Sequence, residues 1–600
     1  MNDMALADQT PALELGPMPE WDLGDLYAAP DAPELERDLV RADAEAKAFQ
    51  QRYQGRLAEL SGKELGEAIA AYERMSEILS RIMSYASLRY AQNISDPERG
   101  RFMQGMQERV TPITTQTLFF TLELNRIDDA VLARQLEAPE AAHYASWLRD
   151  LRAFRDHQLS DEAERLLHER DVVGSSAWVR LFEETIADLR FSVNGKDLTS
   201  AEALHLLSDK DRSVRKAAAL SIGEVLAKNG RIFTLVYNTL IKEKEIDDSW
   251  RHYPHPTSAR NLANQVEDEV VDALSAAVRD SYPRLAHRYY ALKAKWLGLE
   301  VMEHWDRNAP LPEDSDHLIP WPEARRIVLE AYRAFSPDMA AVGEEFFRGG
   351  WIDAPAKPGK SPGAFAHPCV PSVHPYLLLN YLGKSRDVMT LAHELGHGVH
   401  QVLAGKQGLF LSDTPLTLAE TASVFGEMLT FRALLDGETD PVRRRVLLAS
   451  KVEDMLNTVV RQIAFYEFEK IVHEERRKGE LSAEDFGRAW MRVQTESLGP
   501  VFHFGAEYSA FWSYIPHFIH TPFYVYAYAF GDCLVNSLYD VYRSGAPDFQ
   551  AKYLDMLRAG GTLRHKELLA PFGLDASDPA FWRRGLDVVA GFIDELERMG

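Results

Sequence analysis

The chain has 600 residues, 46% of them hydrophobic and 26% charged, proportions that exclude a disordered polypeptide and allow a sizeable core. Its 91 acidic residues outnumber its 67 basic ones, a formal net charge of −24 at pH 7, so nucleic acid and anionic membrane surfaces are disfavoured as partners. Cys369 and Cys533 are too few and too far apart to staple a fold or to form a CxxC metal pair, and no apolar leader lies between Met1 and Glu20; a cytoplasmic location is expected.

Apolar residues recur at helical spacing from Asp31 to Leu60, from Gly62 to Tyr90, after Asp96, and from Glu269 to Trp296. Ser200 with Glu202, and Ser208 with Asp211, read as helix starts. Prolines predict loops at 251–258 (RHYPHPTS) and 308–322. The longest interruption runs from Gly349 to Pro375. Short candidate strands at Trp351–Asp353, Ala364–His367 and Tyr376–Tyr381 predict a small sheet just ahead of a helical core, and everything after Asp387 is predicted helical. Between Tyr508 and Gly531 there is no Asp, Glu, Lys or Arg, a stretch long enough to span a bilayer. His517, His520, Pro516 and Pro522 argue instead for buried protein whose polar groups are candidates for a site. The fold class expected is predominantly α.

The segment Thr390–His400 reads TLAHELGHGVH. His393 and His397, four apart, fall on one helical face, and two neutral imidazoles held that way make half of a tetrahedral zinc site. Glu394, beside the first of them, is placed to take a proton from a metal-activated water and return it to a leaving amine. The bland alternative is a His pair satisfied within a core; the apolar helix directly after a strand-like region favours the metal. A third ligand is needed if one position is to stay open for water. The positions that would carry a third His hold Leu403, and Gly is replaced by His400, so the expected ligand is a Glu from the following segment TLAETASVFGEMLT. Glu420, flanked by small and apolar residues, is preferred; Glu427, seven residues on, is expected to hold a ligand His by its free ring nitrogen. His400 reads as a hydrogen-bonded core residue.

The strings TLAHELGHGVH and LAETASVFGEML, with PHFIHTPFYVYAYAFG downstream and WDLGDLY at Trp21–Tyr27, resemble the oligoendopeptidase F branch of the thimet-oligopeptidase-like zinc metallopeptidases. The resemblance implies an elongated, two-lobed helical molecule with a deep central channel, an N-terminal helical domain over 1–200 and a catalytic domain over 201–600. It implies one Zn2+ on His393, His397 and Glu420, Glu394 as general base, and oligopeptide substrates. Donors to the scissile carbonyl would come from among His517, His520, Tyr524, Tyr526 and Tyr528; without the resemblance that cluster reads as aromatic core. The function expected is an endopeptidase of short oligopeptides. A dipeptidyl carboxypeptidase on the same scaffold and a non-catalytic helical scaffold with structural zinc are the alternatives.

Overall fold

The computed structural model describes residues 15–311 and 318–599, most of them in helices. Of the expected loop at 308–322, residues 312–317 lie outside the described residues. By its internal contacts the chain divides into two units, each assembled from three segments: 1–155, 316–437 and 545–573 in one, 156–315, 438–544 and 574–600 in the other. The sequence-based domains 1–200 and 201–600 are therefore each shared between both units.

In the first unit, helices α1 (Pro33–Tyr53), α2 (Gly62–Gln92) and α3 (Pro97–Arg126) pack through apolar stripes. Their starts are written locally. Ser61 and Glu64 close a capping box at the head of α2, and Asp96 caps α3 ahead of Pro97. Phe49 of α1, Tyr72 of α2 and Phe120 of α3 meet with ring centroids 5.0–6.1 Å apart. The same unit holds the small sheet: β1 (Ile352–Pro355), β2 (Phe365–His367) and β3 (Tyr376–Tyr381). The order is β1-β3-β2, with β1 parallel and β2 antiparallel to β3 (Phe365 opposite Leu378). β3 is central, and its side chains from Tyr376 to Leu379 are all buried, which is why it reads as an unbroken apolar run. β2 is an edge strand. The three strands lie within two residues of their expected positions. Helices α4 (Ser385–Ala404) and α5 (Leu416–Gly437) follow.

The second unit contains α6 (Val460–Arg476), α7 (Tyr526–Arg543) and α8 (Pro579–Arg598) among other helices. Two helix starts differ in detail from expectation. Thr199, not Ser200, is the cap that closes a box with Glu202, and Asp211, not Ser208, caps the helix Arg212–Lys228 by accepting from the Ser213 N–H. Among the described residues the one strand after Asp387 is Phe502–His503, paired in parallel with Met302–Glu303; short loops join the helices elsewhere. The uncharged stretch resolves into a 3-10 helix at Ala506–Tyr514, a short helix at His517–His520 and the head of α7. No helix among the described residues is long and apolar enough to cross a membrane.

Candidate active site

α4 is a core helix: Val388, Leu391, Ala392, Leu395 and Val399 are all buried. Its approach to α5 depends on Gly396, where a Cβ would lie 2.5 Å from the Ala422 carbonyl oxygen and 2.7 Å from the Ser423 Cα. Both obstacles are backbone, so neither yields easily. Gly396→Ala is expected to force the helices apart at a cost of about 1–3 kcal/mol. Lower thermal stability is the result to look for; an unchanged protein would mean that the helices tolerate the extra carbon.

That close packing brings one side chain of α5 against two of α4. The nearer Glu420 oxygen, Oε2, lies 3.3 Å from His393 Nε2 and 3.5 Å from His397 Nε2. Atoms bound about 2.0–2.1 Å from one tetrahedral centre stand about 3.3–3.4 Å apart, so the spacing fits a common zinc ion. His393, His397 and Glu420 form a group of metal-capable donors whose ligand atoms all lie within 4.8 Å of one another. The three side chains are 19–26% exposed, which leaves the group open on one side.

Each donor is aimed by an outer partner. His393 Nδ1 lies 3.2 Å from Glu427 Oε2, His397 bonds the Ala419 carbonyl, and the Ser423 hydroxyl donates to Glu420 Oε2 at 2.7 Å. Such contacts fix ring orientation and raise ligand basicity. The electrostatics have the same sense. Burial alone would lower the His393 pKa, but its bonds to Glu420 and Glu427 outweigh burial and push it up to about 10. Burial would raise the Glu420 pKa, but His393 and His397 bring it down to about 2. The group is arranged to hold positive charge, as a divalent cation would supply.

Glu394 is 7% exposed. Burial lifts its carboxyl pKa to about 7, with His393 opposing and Glu420 adding to the rise. The Ala366 N–H of edge strand β2 bonds it, tying strand to helix. His400 stays outside the donor group and is buried; burial drives its pKa down to about 4, so it is neutral.

The five candidates from the uncharged stretch sort into three environments, all within the second unit. His517, Tyr524 and Tyr528 gather: His517 Nε2 is 3.3 Å from the Tyr528 hydroxyl, and the Tyr524 ring lies 5.9 Å from that of His517 and 5.3 Å from that of Tyr528. His520 instead pairs with Glu183 at 3.3 Å and meets the Phe182 ring edge-on. Tyr526 is fully buried, its hydroxyl accepting from Asn264 at 2.9 Å and its ring edge-on to Tyr466. Two partners escaped the sequence reading. Ser423 sits three residues after Glu420, a helical spacing that could have flagged it. Ala366 acts through its backbone, for which a sequence carries no signal.

The profile of peptidase family M3 matches residues 205–588, more than half of the chain, spanning α4, α5 and the His517–Tyr528 segment. The chain belongs to peptidase family M3. It is a peptidase, and the profile of oligopeptidase F matches residues 123–191 as well. Oligopeptidase PepF of Bacillus subtilis (strain 168) is 27% identical over 594 residues, covering 96% of this chain and 87% of that protein. The oligoendopeptidase F homolog of Lactococcus lactis subsp. lactis (strain IL1403) is 26% identical, covering 96% and 97%. Among solved structures, a protein of Chlamydophila abortus superposes with a TM-score of 0.85 at 23% identity over 97% of this chain and 98% of that one. Oligoendopeptidase-F from Enterococcus faecium gives 0.72 at 23% identity, covering 94% and 98%. The mostly helical fold with small sheets is the fold of these family members.

Proposed function

We propose that this M3 peptidase is a zinc-dependent endopeptidase of short, unstructured oligopeptides. The observation that carries the reading is the set of two imidazoles and one carboxylate at 3.3 and 3.5 Å beside a buried carboxyl that titrates near neutrality. His393, His397 and Glu420 would hold the zinc. When bound, zinc supplies Lewis acidity, polarising a carbonyl and lowering the pKa of water. Glu394 accepts the proton of the attacking water and passes it to the leaving amine; a pKa near 7 suits both transfers. By the family resemblance, the donors to the oxyanion that develops at a scissile carbonyl would be drawn from His517, Tyr524 and Tyr528, which gather within the second unit. Tyr526, its hydroxyl already engaged by Asn264, serves the fold, and His520 is held by Glu183.

Edge strand β2 offers main-chain groups to an extended peptide, and backbone pairing accepts many sequences provided the substrate lacks structure of its own. Three measurements test this. A chelator should abolish hydrolysis and added zinc restore it; activity that survives complete metal removal would end the metal reading. A peptide blocked at both ends should still be cut, whereas an exopeptidase would leave it intact. A length series of unstructured peptides, run beside a folded protein and its unfolded form, should show kcat/KM falling sharply beyond a few tens of residues. Equal rates on long unfolded chains would refute the preference for short substrates.

A further inference from the structure

The second unit contains two partly buried arginines that have no carboxylate partner. Arg461, on α6, donates from Nη2 to the Tyr514 hydroxyl at 3.3 Å, and its guanidinium stacks 5.0 Å from the Phe465 ring centroid. Its Nε is buried with no partner. Arg307 spends its Nε on Asn308 at 3.3 Å, while its carbonyl accepts from Lys293. Among the described residues no carboxylate comes within ion-pair distance of either guanidinium. The one carboxylate felt at Arg307, Glu453, is already taken by Lys293 at 2.5 Å and Tyr289 at 2.6 Å.

Charges removed from water are normally paired, because an isolated one pays the full cost of lost hydration. Here two like charges share one neighbourhood: His304, three residues before Arg307, packs its ring 4.4 Å from Tyr508 and 5.3 Å from Phe511, and the Phe511 ring lies 5.9 Å from that of Tyr514, the partner of Arg461. Burial lowers the proton affinity of Arg461, and Arg307 lowers it further. The His517 pKa is lowered by burial first, then by His520 and by Arg461, so the pair lies within electrostatic reach of the His517–Tyr528 group. Arg307, Arg461 and Tyr514 are each partly withdrawn from water and partly open, so the guanidiniums lose hydration without gaining a carboxylate and a ligand can still reach them. Tyr290 and Tyr508 line the same neighbourhood with neutral phenols, which do not cancel the charge.

We propose that Arg461, Arg307 and Tyr514 form a subsite for a carboxylate of the peptide substrate, next to His517. An anion there would meet two guanidiniums and a hydroxyl, the donor set that binds carboxylates through charge-assisted hydrogen bonds. Within a peptidase the carboxylate is a free C-terminus or an Asp or Glu side chain. The subsite deepens the function proposed above and rests on it, because it assumes that peptide passes the His517 group.

The experiment compares one octapeptide in four forms: free acid, C-terminal amide, and each of these with an internal Glu changed to Gln. The native enzyme is expected to lose about tenfold or more in kcat/KM on amidation if the terminus is recognised, or on the Glu change if the side chain is, mostly through KM. In Arg461→Met that ratio should fall to about one, with Arg461→Lys keeping part of it. A merely structural arginine would slow all four peptides alike and leave the ratio unchanged, which would overturn the proposal. Equal rates on all four peptides with the native enzyme would overturn it too. If Arg461→Met does not fold, Tyr514→Phe, which removes one hydroxyl, should reduce the same ratio, and an unaltered ratio there counts against the subsite. Failure to cut any of the four would strike at the peptidase reading itself; fluorescence anisotropy of the labelled acid and amide then decides the subsite alone, tighter binding of the acid supporting it and equal binding refuting it.

Discussion

Glu394→Gln should leave the metal in place and reduce kcat by several orders of magnitude. The amide is nearly isosteric with the carboxyl and keeps an oxygen for the Ala366 N–H, so strand β2 and helix α4 stay joined. It adds no bulk at a site that is 7% exposed. What it loses is the ability to take a proton. General acid–base assistance alone is worth roughly 10²–10⁴-fold, and Glu394 is asked to serve twice, at attack and at departure of the amine. The measurement pairs kcat on a doubly blocked peptide with metal content of the same preparation. Substantial turnover in metal-replete Glu394→Gln protein would remove Glu394 from the chemistry.

The second large effect separates two glutamates of one helix. Glu420→Ala deletes the carboxylate whose single oxygen faces both histidines, so only two donors remain and zinc should be lost on dialysis. Glu427→Ala leaves all three donors and removes only the acceptor at His393 Nδ1. Metal should persist, with affinity or activity down roughly 10–100-fold, the usual effect of losing an outer partner. Metal analysis of both variants after identical dialysis decides it, and the reverse pattern would exchange the two roles.

The helices and the donor pattern were legible because they repeat. Hydrophobic period, capping residues and prolines locate α1 to α3, the three strands and the two site helices, and the i,i+4 histidines announce themselves. The His/Tyr group was harder. In an aromatic-rich, uncharged segment nothing in residue type distinguishes Tyr526, which bonds Asn264 from a distant helix, from Tyr528, which meets His517. The partner that separates them is more than 250 positions away. Arg307 and Arg461 were invisible for the complementary reason: charged residues are common, and only the folded chain reveals that no carboxylate accompanies them. The interleaving of the two units is likewise a matter of contacts between remote segments, which periodicity cannot register.

That interleaving bears on how the protein is made. The chain changes unit five times, and the first unit contains residues from its beginning, its middle and its stretch at 545–573. On the ribosome, α1 to α3 emerge hundreds of residues before the last segment of their unit, 545–573, and α4 and α5 emerge more than a hundred residues before it, although the Thr421 carbonyl of α5 accepts the buried hydroxyl of Tyr553 there. The first unit cannot close before residues 545–573 have emerged, nor the second before 574–600, in contrast to the common order in which N-terminal domains fold first. Nascent chains halted anywhere before about residue 570 should therefore present unsatisfied apolar faces to chaperones, and a gene fragment ending after α5 would contain every proposed zinc donor without the neighbours that hold them in register.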